Sequence, residues 1–192
     1  MAPAAPNPSR QIVVLAVAFY VPMAGCLFFL RPPGGLRVRD WPALGWGLAA
    51  ALALGLLSVA LTRLVTHRTA WGAALHGEFH GVLGGLGSRA ILAVALLSAV
   101  GEELLFRGVL HPRLGLWITA ALFGLMHFPV RRRLLPWTAF ALVLGLALGV
   151  LTDWAGTLWP AILVHFVINY LNLHHLAEPL ERPPPPAAPG SA

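Results

Sequence analysis

Of 192 residues, 58% are hydrophobic and only 10% are charged, against roughly 25% charged in an average soluble domain; with a mean hydropathy of +0.76 this excludes an ordinary water-soluble globule. All 13 basic residues are arginine, for a formal charge of +6. They sit in loops between apolar runs and not on one stripe, which excludes a nucleic-acid surface and reads as membrane topology and contact with anionic lipid. The lone cysteine, Cys26, lies in an apolar run and offers no disulfide framework, no zinc-ribbon spacing and no Cys nucleophile.

In chain order, residues 1–10 are rich in Pro and Ala and are expected to be disordered. Gln11 to Leu30 is uncharged and long enough to span a bilayer. It is too long for a signal h-region and is followed by more apolar runs, so it reads as a retained first helix. A Pro/Gly/Arg loop leads to a second span, Pro42 to Thr62, with Pro42 near the helix start, where a missing N–H costs little. From Arg63 to Gly87, Leu75, Phe79, Val82 and Leu86 recur at helical spacing with His76, Glu78 and His80 between them, predicting an amphipathic helix at the interface. Spans follow at Ala90 to Leu110, Gly115 to Phe128, Leu134 to Leu151 and Leu158 to Leu173. The Gly115 helix is too short to cross a hydrocarbon core about 30 Å thick. It therefore has to be extended at its ends or lie in a protein-lined region. Residues 178–192 are Pro-rich and expected to be disordered.

The fold class expected is all-α, a polytopic bundle of about six spans plus an interfacial amphipathic helix. Residues 11–87 make its N-terminal helices and residues 88–173 its chemical core. With six spans, one side of the membrane holds Arg10, Arg63, Arg68, Arg89, Arg131, Arg132, Arg133 and Arg182, and the other holds Arg31, Arg37, Arg39 and Arg113. That excess puts both termini in the cytoplasm. The composition looks bacterial, so the inner (plasma) membrane is the expected location.

The chemistry is carried by ionisable residues where lipid should forbid them. A charge deep in a membrane helix costs at least about 2.5–3.5 kcal/mol. Glu102, Glu103 and Arg107 share one membrane helix, His127 lies in the next, and His165 in the last. Glu103 and Arg107 are one turn apart and can pair. Glu102 is rotated by about 100° and can face a separate pocket. Phe123 and His127, and likewise His165 and Asn169, are i, i+4 pairs. Two carboxylates, a guanidinium, two imidazoles and an amide can thus converge from three helices. A buried carboxylate can take a proton from water, an imidazole can hold that water and later protonate the leaving amine, and a second imidazole with an amide can stabilise an oxyanion.

The stretch GEELLFRGVL, holding Glu102, Glu103 and Arg107, resembles the first motif of the CPBP family of intramembrane glutamic endopeptidases (CAAX proteases and bacteriocin-processing, Abi-like enzymes). ALFGLMH, with Phe123 and His127, resembles the second, and His165-x-x-x-Asn169 the third. The similarity covers about Ser88 to Leu173 and extends to type 2 CAAX prenyl proteases. It implies an intramembrane endopeptidase in which Glu102 activates water with His127 as partner. His165 and Asn169 form the oxyanion site, and Glu103, Arg107 and Phe123 support. The expected partners are the bilayer and a protein or peptide with a membrane-associated segment, with no cofactor. A prenylated CAAX tail is the family's eukaryotic type of substrate; here a bacteriocin precursor or membrane-anchored tail fits the composition better.

Blander readings stand beside these. A buried ion network could merely fix packing, but Arg107 can neutralise only one of the two carboxylates. His165 and Asn169 could be interhelical glue. His76 and His80 are i, i+4, yet HGEFH is not H-E-x-x-H and reads poorly as a zinc site. His174 and His175 read as surface residues, and the tryptophans near span ends (Trp41, Trp46, Trp137, Trp154, Trp159) as an aromatic belt. The alternatives for function are a zinc peptidase using Glu102, His127 and His165, or a non-catalytic immunity or peptide-binding protein. A transporter is disfavoured by the lack of an internal repeat.

Overall fold

The computed structural model describes residues 8–30, 34–128, 132 and 135–180. The expected disorder of residues 1–7 and 181–192, and the topology roles of Arg31, Arg131, Arg133 and Arg182, lie outside them. The described residues are helical throughout, with no strand among them: α1 (Pro8–Leu30), a 3₁₀ turn (Gly34–Leu36), α2 (Trp41–Arg68), α3 (Ala70–Leu83), α4 (Ser88–Glu103), a π-helical segment (Leu104–Leu110), α5 (His111–Met126), α6 (Leu135–Ala155) and α7 (Trp159–Ala177). This is the expected helical membrane bundle.

Local chemistry sets the helix ends. Asp40 caps α2 through its side chain, which accepts the Ala43 N–H at 2.9 Å, while Pro42 occupies the first turn. Thr69 closes α2 and opens α3: its N–H donates to Val65 O and its hydroxyl accepts the Gly72 N–H at 3.0 Å. One residue therefore joins the two helices. Gly156, at φ +62°, makes the α6–α7 turn. The first loop is pinned to that turn, because Gly35 O accepts from Leu158 N–H and the Thr157 hydroxyl.

The main core lies between α2, α6 and α7, built from Ala51, Val59, Leu144, Leu148, Val164 and Ile168. Small residues let the helices approach, as expected where lipid removes the hydrophobic drive between them. A methyl on Gly124 would stand 2.9 Å from Leu142 Cβ, and one on Gly145 3.2 Å from Ala120 Cα. Large apolar residues such as Leu57, Val143 and Trp46 point outward, the pattern of a lipid-facing surface.

By length and hydropathy alone, α2 and α6 are long and apolar enough to cross a membrane. α3 and the run Ser88–Met126 pass together only as a pair bent by 109°. Among the described residues, where the apolar stretch of α1 counts only over Gln11–Gly25, that is fewer than the six spans expected, and α4 and α7 in particular give apolar positions to polar residues such as Glu102, Glu103, His165 and Asn169.

Boundaries differ from expectation in four places. α1 begins at Pro8, inside the stretch expected to be disordered. α2 runs on to Arg68, so the interfacial segment is divided and only α3 is separate. The third span is not α-helical to Leu110; it becomes π-helical right after Glu103, with the His111 N–H reaching back five residues to Phe106 O. α5 gains a turn at its N-terminus but is broken at Gly115, whose φ of +76° lies outside helical space.

Candidate active site

Consecutive residues on a helix point about 100° apart, so Glu102 and Glu103 diverge at the end of α4. Glu103 is fully buried. Its Oε1 accepts from Arg107 Nη1 at 3.0 Å and from His165 Nδ1 at 2.8 Å. Arg107 is also buried; its Nη2 donates to Gly145 O at 2.9 Å, and its guanidinium carbon stands 4.6 Å from the Phe123 ring centroid. One carboxylate and one guanidinium thus tie α4, the π segment, α5, α6 and α7 together. Such a pair is bound by charge-assisted bonds in a medium that screens little.

Glu102 faces a cavity of about 490 Å³ that Ser98, Phe123, His127, His165 and Asn169 also line. Its Oε2 is 3.8 Å from His165 Nε2. Its Oε1 accepts the hydroxyl of Tyr20, from α1, at 2.7 Å. His127 is the C-cap residue of α5. Its Nδ1 bonds to Phe123 O at 2.7 Å; a carbonyl only accepts, so Nδ1 carries a proton and the other ring nitrogen of the neutral imidazole is an acceptor. Phe123 stands between the imidazoles, its ring centroid 4.7 Å from His127 and 5.9 Å from His165. Asn169 Nδ2 donates to the Ser98 hydroxyl at 2.9 Å, which leaves its second N–H for another acceptor.

The six polar residues singled out in the sequence therefore occupy one neighbourhood in two layers. Glu103 and Arg107 form a dry lower layer, and Glu102, His127, His165 and Asn169 meet the cavity. His165 belongs to both. Among the described residues, no three His, Cys, Asp or Glu side chains group as a metal ion would need.

Sequence reasoning missed three contributors. Ser98 stands one turn before Glu102, a spacing that could have flagged it. Tyr20 is a hydroxyl inside an apolar span, and a buried phenol needs a partner; nothing in the sequence says which. Trp137, read only as part of an aromatic belt, also packs 5.5 Å from the His127 ring and 4.9 Å from Phe79.

α3 also lines the cavity, through Trp71, Leu75, His76 and Phe79. His76 Nε2 bonds to His175 O at 3.1 Å and His80 Nδ1 to Leu176 O at 2.9 Å, so these histidines fasten α3 to the end of α7. His175, expected at the surface, is partly buried, with its ring 4.9 Å from His76.

Residues 87–171 match the family model described as type II CAAX prenyl endopeptidase Rce1-like, which bears out the family resemblance of the three motifs. The chain is also 38% identical over 81 residues to a Bacillus subtilis (strain 168) protein named uncharacterized protein YpbD; the match spans 41% of each chain. No solved structure matches. The family match covers under half of the chain, and the apolar helices beside it fit a membrane protein.

Proposed function

We propose that this protein is an intramembrane endopeptidase that hydrolyses a peptide bond of a membrane-associated protein or peptide with water activated by Glu102. The observation that supports this best is the separation of the two carboxylates. Glu103 is consumed by Arg107 and His165, whereas Glu102 stands in the cavity with Oε2 directed at His165.

In this reading a water lies between Glu102 Oε2 and His127 Nε2. Glu102 takes one proton as the water oxygen attacks the carbonyl carbon, and His127 accepts a hydrogen bond from the other. The carbonyl oxygen becomes an oxyanion near His165 Nε2 and the free Asn169 N–H. Two carboxylates and one guanidinium leave the cluster one positive charge short. A His165 protonated on both nitrogens balances it and provides the N–H the oxyanion needs. His127 passes the proton held by Glu102 to the amide nitrogen, the C–N bond breaks, and a carboxylic acid and an amine leave. No step needs a metal, so cleavage should survive strong chelators, whereas loss restored by zinc would favour the metallopeptidase reading.

The Arg distribution supports cytoplasmic termini in a bacterial inner membrane. The test is mass spectrometry of membrane and secreted peptides from cells with wild-type protein or Glu102→Gln. A membrane peptide should accumulate intact in the variant while its fragments appear with wild type. Equal cleavage in both would remove Glu102 as the base.

A further inference from the structure

Tyr20 lies on α1, outside the segment 87–171 that carries the family likeness, yet its hydroxyl makes a 2.7 Å bond to Glu102 Oε1. We propose that Tyr20 is a positioning residue that fixes the Glu102 carboxylate so that only Oε2 is presented to the reacting water, and that α1 is thereby part of the active site. This rests on the reading of Glu102 as the base.

Three observations carry it. A glutamate carboxylate on three rotatable bonds has several rotamers, and Glu102 lacks the two-sided clamp that Arg107 and His165 place on Glu103. The Tyr20 bond supplies the missing constraint. It comes from a rigid ring with a single donor, so one oxygen is held and the other is left facing His165 and the cavity. The ring is itself held by contact at Gly101, the residue before Glu102. A Cβ there would lie 2.7 Å from Tyr20 Cδ1 and 3.0 Å from Met23 Cε, so only glycine lets α1 come this close.

The hydroxyl has a second consequence. With Oε1 occupied, water bound to Glu102 is directed toward the side where His165 and the cavity lie. Without it the carboxylate can turn, and a misplacement of about 1 Å at a reacting atom can cost about a hundredfold in rate. The loss should appear in kcat and not in KM, because Tyr20 acts on the base and not on the apolar lining that holds substrate.

The experiment uses the full-length protein in lipid nanodiscs, with the peptide that accumulates in the Glu102→Gln strain as substrate. Isotope-edited infrared spectra of Glu-labelled protein, assigned by difference against Glu102→Gln, report the Glu102 carboxylate bond directly. Tyr20→Phe should move that band, keep the thermal unfolding temperature within a few degrees, and lower kcat about tenfold to a hundredfold with KM within about twofold. Gly101→Ala, which displaces the ring and keeps the hydroxyl, should lower kcat in the same way. An unmoved band in Tyr20→Phe shows that the bond does not exist, and a moved band with unchanged kcat shows that it does not position the base; either overturns the proposal. Cleavage by Glu102→Gln at the wild-type rate would instead sink the assignment of the base, while the infrared result still decides whether the bond is there.

Discussion

The division of labour between two neighbouring carboxylates sets what each substitution should do. Removing Glu103 leaves Arg107 buried without its counter-ion, and breaking a buried pair by deleting one partner typically costs about 3–5 kcal/mol. Glu103→Ala should therefore unfold well below the wild-type temperature in a detergent melt. Glu102 accepts from Tyr20, stands 3.8 Å from His165 and is partly exposed to the cavity, so Glu102→Gln, which keeps its shape, should melt close to wild type and yet be inactive. If both variants lost stability equally, the two-layer description of the cluster would fail. His175 adds a pH dependence in the last turn of α7, beyond the apolar run expected to end at Leu173. Burial, with nearby Arg63, His76 and His67, lowers its pKa from 6.5 to about 4. The unfolded chain binds this proton below about pH 6.5, and the native chain only near 4. Native stability is therefore fully present above pH 6.5 and declines as the pH falls toward 4. Hydrogen exchange in α3 should quicken between pH 6.5 and 4.5, and His175→Phe should flatten that slope.

Among the elements, α5 and α6 are a pair on which the site depends directly. They meet through glycines with no room for a side chain, and His127 sits at the end of one while Gly145 O, the acceptor for Arg107, sits in the other. Gly124→Val should push α5 away from Leu142 and lower activity at least about tenfold by moving His127; unchanged cleavage would show the spacing to be slack. The helices were legible because an uncharged run of about 20 residues has few other uses. The polar constellation was legible because charges in such runs are expensive. Three features were not. The π segment depends on how the chain is wound after Glu103, and no residue type announces an extra residue in a turn. The continuation of α2 to Arg68 runs against two arginines and a histidine in its last turns, which read as loop; their contacts with α7, such as Arg63 Nη2 on Leu171 O at 3.0 Å, are tertiary. The Tyr20 bond joins residues 82 positions apart, beyond any local periodicity.

For the molecule as a whole, orientation is the nearest open test. In a Cys26→Ser background, Arg37→Cys and Glu178→Cys should react with impermeant thiol reagents from opposite faces, Glu178→Cys from the cytoplasmic one. Labelling from the same face would overturn the topology. The abbreviated α5 carries a broader implication. Beyond the break at Gly115 its straight part reaches only to Met126, roughly 16 Å of rise. A helix that stops partway through a bilayer must answer its last carbonyl oxygens from within the protein, and here Phe123 O accepts from His127 Nδ1, Gly124 O from the His127 N–H and Leu125 O from the Phe128 N–H. The contact that closes the helix end therefore also sets how the His127 ring meets the cavity, so trimming the span and aiming the imidazole are one event.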